Sequence, residues 1–168
     1  MSTCISEREP GGPFRPRAAS MIIETILFDF DGTLAELHID FSAMKRRIAA
    51  VAAEFLGRFP EASSLPALEW IDALAEELGD GADGRALAFR SQAMASIQAL
   101  EMEAASKGNL FSFTCRVLEE LRARGVKIAV VTRNCEKAVR TVFPDMDGYG
   151  FKLFSRDHVA RVKPDPDH

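Results

Sequence analysis

Apolar residues fall along this chain in three regimes. The first is a dense run from Ile22 to Phe30, IIETILFDF, rich in β-branched and aromatic residues and stopped by Gly32. Its length and composition predict a strand, and its near-continuous apolar character predicts a parallel sheet covered on both faces. In the second regime, residues 35–108, apolar positions recur at three- and four-residue steps, the helical period. Phe41, Met44, Ile48, Val51 and Phe55 predict one helix, ended by Gly57 and Pro60. Leu68, Ile71, Leu74 and Leu78 predict a second, starting near Ser64, Leu65 and Pro66 and closed by Gly79. A third spans Arg85 to Ser106, with Leu87, Met94, Ile97 and Leu100 on one face. Trp70, Met94 and Met102 read as helix packing.

In the third regime, residues 109–168, strand and helix signals alternate. Phe113 to Arg124 predicts an amphipathic helix with Val117, Leu118 and Leu121 inward and Gly125 at its end. Val126 to Val131, VKIAVV, predicts a second buried strand, followed by a turn at Thr132, Arg133 and Asn134. Cys135 to Val142 predicts a short helix stopped before Pro144, and Phe151 to Phe154 a third strand. The order of one strand, a helical insertion and then αβαβ predicts an α/β sheet with an inserted helical domain. Residues 1–20 carry Pro10, Gly11, Gly12, Pro13 and Pro16 and no apolar stretch of a secretory signal, so they predict a flexible arm. Met21 is an alternative start.

Composition narrows the function classes. With 47% apolar residues in 168, the chain can bury a core, which excludes disordered and fibrous classes. A formal charge of −4 argues against a nucleic-acid binder driven by phosphate neutralisation. The apolar runs are far shorter than the roughly 20 residues of a membrane span. Cys4, Cys115 and Cys135 are scattered and odd in number, which predicts reduced thiols in a cytoplasmic protein.

The string that carries chemistry is Asp29-Phe30-Asp31-Gly32-Thr33, at the C-terminal end of the first strand. Ligands of open parallel sheets bind outside the carboxyl ends of the strands. Residues at i and i+2 of a strand share a face, and at a rise of about 3.3 Å per residue their carboxylates start about 6–7 Å apart. That gap admits a phosphoryl group between a nucleophile and a proton donor, and oxygen ligands of this kind suit a hard divalent cation. Gly32 lets the chain turn sharply there.

This motif resembles the first motif of the haloacid dehalogenase superfamily of phosphohydrolases, an apolar strand followed by Asp-x-Asp-Gly-Thr; residues 25–34, TILFDFDGTL, match it throughout. The resemblance implies Asp29 as a nucleophile that forms an aspartyl-phosphate, and Asp31 as general acid and then general base. It implies a magnesium ion held at Asp29 and Asp31, the latter through its backbone carbonyl. Thr132 after VKIAVV matches the family's second motif, and Lys163-Pro164 its third, in the expected order. Both would hold phosphoryl oxygens. Arg133 and Asn134 flank Thr132; Arg133 is a further candidate phosphate-binding residue, with a plain turn as the alternative.

The resemblance covers residues 21–168. It implies a Rossmann-like three-layer core over residues 21–34 and 109–168, and a helical cap over 35–108 of the type found in phosphoglycolate-phosphatase-like members. The family's fourth, acidic motif follows a further strand after the lysine. Asp165 and Asp167 come too soon to supply it, so the expectation is an incomplete sheet with the C-terminal strands missing. The implied function is magnesium-dependent hydrolysis of a small phosphorylated metabolite. The alternatives are a phosphomutase of the same superfamily and a non-catalytic phosphate-binding module. Asp31 argues against a dehalogenase, because those members lack the second acid.

Other residues have plainer readings. Asp145-Met146-Asp147-Gly148 imitates the first motif but follows Pro144 with no apolar strand before it, and reads as a loop. His38 and Asp40 read as a linker or helix start. His158 and His168 show no partner pattern and read as exposed. The cap carries 12 acids against 7 Lys or Arg, which reads as a solvated acidic surface.

Overall fold

A computed structural model describes residues 23–79 and 84–168; the arm expected at residues 1–20 lies outside the described residues. Strand β1 (Thr25–Phe28) leads through a tight turn to β2 (Ala35–Glu36), and three helices follow: α1 (Phe41–Leu56), α2 (Ala67–Leu78) and α3 (Arg85–Ala105). The chain returns through β3 (Asn109–Leu110), α4 (Thr114–Ala123), β4 (Lys127–Thr132), α5 (Glu136–Val142) and β5 (Lys152–Ser155). No helix among the described residues is long and apolar enough to cross a membrane.

The sheet is parallel, in the order β1-β4-β5. Its register sets Phe28 beside Val130 and Val130 beside Leu153, on one face. These three join Leu118 of α4 and Ala138 and Val139 of α5 in one buried cluster. The opposite face is open: Leu27 is 67% exposed, and Phe154 also reaches solvent. The sequence expectation that the first strand is covered on both faces therefore fails among the described residues. β1 is an edge strand there, and the helices flanking β4 pack on one side only.

A second apolar cluster belongs to the helical insertion. Met44, Ile48 and Ala52 of α1, Trp70, Ile71 and Leu74 of α2, and Phe89, Ala93, Ile97 and Leu100 of α3 are buried together. The boundaries of α1 follow the sequence signals closely. Asp40 caps α1, its carboxylate accepting the Ala43 amide at 2.8 Å, and Gly57 ends it in the left-handed region. The inner face of α3 matches the expected one at Met94, Ile97 and Leu100 and differs at Leu87. Phe89, Ala93 and Ile97 face inward, and Leu87 is 73% exposed. Aromatic bulk at Phe89 finds a partner ring in Phe55, which fixes the rotation.

One feature too short to show in the sequence joins the two clusters. β2 and β3 pair antiparallel, Ala35 with Leu110 and Glu36 with Asn109, so both connections to the insertion run side by side. Gly108 permits this approach, because a Cβ there would lie 3.0 Å from the Glu36 carbonyl. Thr114, fully buried, donates its hydroxyl to the Leu34 carbonyl at 2.6 Å and ties α4 to the same junction.

The rotation of α3 has a direct test. Phe89→Ala is expected to destabilise the protein by about 3–5 kcal/mol, whereas Leu87→Ala is expected to stay within about 0.5 kcal/mol of the parent. Urea unfolding of both variants decides, and comparable losses would contradict the observed helix face.

Candidate functional site

The site forms where β1 and β4 end. Because Phe28 pairs with Val130, the next residues, Asp29 and Val131, emerge side by side at the carboxyl edge of the sheet. Lys163 reaches this point from a loop 32 residues beyond Val131: its Nζ lies 2.7 Å from Asp29 Oδ1 and 3.1 Å from the Val131 carbonyl. Asp29, the end of β4 and Lys163, widely spaced in sequence, thus meet at one ammonium group. Asp29 Oδ1 also accepts the Phe30 amide at 2.7 Å. No hydrogen bond reaches Oδ2 from the described residues, so this oxygen remains available to a ligand.

Past Asp29 the chain folds back on itself. The Phe30 carbonyl accepts the amides of Thr33, Leu34 and Ala35 in a compact turn. Gly32 stands at φ +75°, a left-handed conformation that favours glycine. Asp31 sits inside this turn, where its Oδ1 accepts the Leu37 amide at 3.1 Å. Burial raises the Asp31 carboxyl above the usual carboxylate range; the Leu37 amide opposes that rise and the nearby Asp29 charge adds to it. The two acids of the motif are therefore differentiated: Asp29 is ion-paired with a lysine, and Asp31 is biased toward its protonated form.

Thr132 is buried at the last position of β4, with its hydroxyl accepting the Asn134 amide at 3.2 Å. Arg133, expected at the phosphate, is engaged elsewhere. Its Nη2 donates to Glu69 of α2 at 2.6 Å and its Nη1 to the Lys163 carbonyl at 2.9 Å. Burial alone would raise the Glu69 carboxyl, but the hydrogen bond and charge of Arg133, with a backbone amide, hold it below its usual range. Arg133 thus links the helical insertion, the β4–α5 loop and the segment that carries Lys163.

Sequence reasoning missed a second ionic link. Glu101, on the inner face of α3, is 2% exposed and ion-paired with Arg156, which is itself buried in the 3-10 turn Arg156–His158. The signal was present: Glu101 lies four residues after Ile97 on the buried stripe, an acid where the helical period calls for an apolar residue. The expected solvated acidic surface of the insertion therefore excludes Glu101. A cleft of about 300 Å³ opens beside this pair, between Ile39, Met44 and Leu68 of the insertion and Arg133 and Asn134 of the loop.

Several residues with plainer readings have partners; His158 is exposed, as expected. His158 hydrogen-bonds Glu136 at 2.9 Å and accepts the Ser155 amide at 3.2 Å. His168 accepts the Lys163 amide at 2.9 Å and contacts the Phe154 carbonyl at 3.0 Å. Both histidines thus have partners that chain separation hid. Met146–Tyr149 is a 3-10 turn with Met146 buried, not an open loop. Asp167 accepts the amides of Ala160 and Arg161, and Asp165 accepts that of Asp167, so both acids brace their own loop.

Among the described residues no group of three or more His, Cys, Asp or Glu is placed to hold a metal ion. The Asp29 carboxylate and the Asp31 backbone carbonyl nevertheless suit magnesium, which takes oxygen ligands, often from a single carboxylate, and completes its shell with water and substrate phosphate.

A family model for haloacid dehalogenase-like hydrolases matches residues 23–168. No curated protein matches the sequence. Among solved structures, a variant of CbbY from Rhodobacter sphaeroides in complex with xylulose 1,5-bisphosphate is 24% identical. That similarity covers 87% of this chain and 69% of CbbY at a TM-score of 0.50, which supports a shared fold. A predicted phosphoglycolate phosphatase from Haemophilus somnus is 21% identical over 86% of this chain and 67% of its own, with a TM-score of 0.46. A subfamily IA hydrolase from Geobacter sulfurreducens is 20% identical over 86% and 68%, with a TM-score of 0.44.

The surroundings of Cys135 generate a test of the loop next to Thr132. Burial pushes its thiol up to about 11, with the Ala138 amide opposing and the Glu101 carboxylate adding to the rise. A thiol at that value is almost wholly protonated at pH 8 and unreactive. Cys135 is expected to resist iodoacetamide in the folded protein and to react in urea; peptide mapping that finds it alkylated under native conditions would contradict the buried geometry.

Proposed function

The chain belongs to the haloacid dehalogenase-like hydrolase family, and on that premise we propose that it is a magnesium-dependent phosphatase acting on a small phosphate monoester. The observation that carries this reading is the Lys163 ammonium, which bridges Asp29 and the end of β4. It joins the nucleophile candidate to the strand end that bears Thr132, as a site for one phosphoryl group requires. Residues 35–108 act as a cap over a core formed by residues 21–34 and 109–168. Its unpaired Cys115 and Cys135 fit a cytoplasmic protein.

In the proposed reaction Asp29 attacks phosphorus through Oδ2. A bond from Asp29 to phosphorus forms as the bond to the leaving oxygen breaks, and Asp31 donates its proton to that oxygen. Asp31, now a carboxylate, then takes a proton from the water that attacks the aspartyl-phosphate, which releases inorganic phosphate and restores both acids. The Thr132 hydroxyl and Lys163 ammonium hold the phosphoryl oxygens as charge shifts among them. Magnesium, when held at Asp29 and Asp31, withdraws charge from the phosphoryl group. Arg133 contributes to phosphate binding only by leaving Glu69, so its share accompanies a loosening of the contact between cap and core.

Hydrolysis of p-nitrophenyl phosphate with magnesium tests this reading. Asp29→Asn is expected to abolish turnover, and Asp31→Asn to lower kcat by about 10²–10⁴-fold. A parent rate left intact by Asp29→Asn would remove the nucleophile assignment.

The pH profile provides a separate check. Burial raises the Asp31 carboxyl, so the acid form persists to higher pH than for an ordinary aspartate. Activity is expected to be present below its pKa and to fall as pH rises through it. That descending limb is expected to vanish in Asp31→Asn; an unchanged limb would assign it to another group.

A further inference from the structure

The Glu101–Arg156 pair has no part in the reaction as proposed, yet it touches the β4–α5 loop at three backbone positions. Glu101 Oε2 accepts the Cys135 amide at 3.3 Å, while Oε1 takes the Arg156 guanidinium. Arg156 Nη1 also donates to the Arg133 carbonyl at 3.3 Å, and the Arg156 amide donates to the Asn134 carbonyl at 3.4 Å. The side chains of this pair therefore hold residues 133 and 135, the Arg156 backbone holds residue 134, and the Asn134 amide in turn meets the Thr132 hydroxyl at 3.2 Å.

The arrangement is a poor source of stability. Both side chains are at least 95% buried, and the Arg156 Nε has no hydrogen-bond partner among the described residues. Desolvating two charges offsets most of their attraction, and apolar replacements of similar volume commonly serve a core as well or better. That Nε meets only the Asp157 carboxylate among the described residues, at 3.9 Å and without a hydrogen bond, which adds a further cost. What an apolar pair cannot do is accept an amide and donate to a carbonyl of the same loop. The helix that presents Glu101 also belongs to the cap cluster, through Ile97 and Leu100.

We propose that Glu101 and Arg156 are positioning residues, which set the backbone of residues 133–135 and thereby aim Thr132 at the transferring phosphoryl group. The proposal rests on the phosphatase reading of the site. Donors aimed at developing charge act mainly in the transition state, so a loop displaced by an ångström lowers kcat more than it raises KM. It also makes a cap helix part of the phosphate site, through a contact separate from the Arg133–Glu69 ion pair.

The test is the double variant Glu101→Met, Arg156→Met, compared with the single variants Glu101→Gln and Arg156→Lys. In the double variant thermal unfolding is expected to report a folded protein, while kcat for p-nitrophenyl phosphate falls about a hundredfold and KM changes less than threefold. Glu101→Gln leaves the Arg156 charge uncompensated and is expected to lower the unfolding temperature, but it keeps an acceptor for the Cys135 amide and is expected to retain most of kcat. Arg156→Lys cannot span Glu101 and the Arg133 carbonyl together, and is expected to lose kcat with little change in KM. Should the double variant not fold, Arg156→Lys decides by the same split. A folded double variant, or a folded Arg156→Lys, with the parent kcat overturns the proposal.

Orthovanadate affinity by calorimetry separates this proposal from the phosphatase reading. Orthovanadate can adopt the trigonal bipyramid of in-line phosphoryl transfer, and transition-state analogues register aim more sharply than ground-state ligands. Its affinity is expected to fall about a hundredfold in the double variant, while that for inorganic phosphate changes less than threefold. A parent protein that binds vanadate without hydrolysing ester contradicts the phosphatase reading alone, and the vanadate comparison then decides the positioning role. A parent that binds neither anion overturns both.

Discussion

The candidate site depends on a single ammonium group. Lys163 lies within hydrogen-bond distance of both Asp29 and the Val131 carbonyl, and so fastens a remote loop to the carboxyl edge of the sheet. Two carboxylates two residues apart at a strand end repel each other and resist burial. The lysine offsets the charge on Asp29, and the turn that encloses Asp31 shifts that acid toward its neutral form. An ammonium partner at one acid and burial at the other therefore give two identical side chains different electrostatic surroundings.

The loop carrying Lys163 depends in turn on contacts from several directions. Its carbonyl accepts Arg133, its amide meets the His168 ring, and its acids Asp165 and Asp167 turn back onto their own backbone. None of these groups needs to touch a substrate to matter. Each restricts where the ammonium can lie, and a cation is useful in catalysis only when its position is held before charge develops.

The helical insertion has an apolar cluster of its own, but its ends at Leu37 and Ala105 are buried in the core cluster, and polar links add to that contact. Glu69–Arg133 is partly exposed, whereas Glu101–Arg156 is buried. Water screens the first and weakens it, so it can open at small cost. Water does not reach the second, and breaking it would strand a charge. The two links thus differ in kind: one is open to water, and the other ties α3 to the β4–α5 loop. The short β2–β3 ribbon bounds the motion that either allows, because both connections to the insertion pass through it.

The elements themselves were largely legible in the sequence. Helical period, Gly57 and Gly79 placed α1 and α2, and VKIAVV placed β4, because those signals are local and each element buries a continuous stripe. Asp29, Asp31, Thr132 and Lys163 were legible as candidates for a similar reason: each stands at a strand end or beside a proline, within a short recognisable string. The two-residue strands β2 and β3 were not, since they are too short to carry a period. The inner face of α3 was misread at Leu87, because a helix with apolar residues on several sides takes its rotation from the rings and helices it meets.

Local patterns in the chain single out the residues with candidate chemistry and the elements that carry them. Their partners follow from the fold. Arg133 turned to Glu69, Glu101 turned inward to Arg156, 55 residues away, and His168 turned to the backbone of Lys163. The physical reason is range. Propensity and periodicity act within a few residues and leave a record along the chain, whereas an ion pair depends on where two distant backbones place their side chains and on how much water the packing between them excludes.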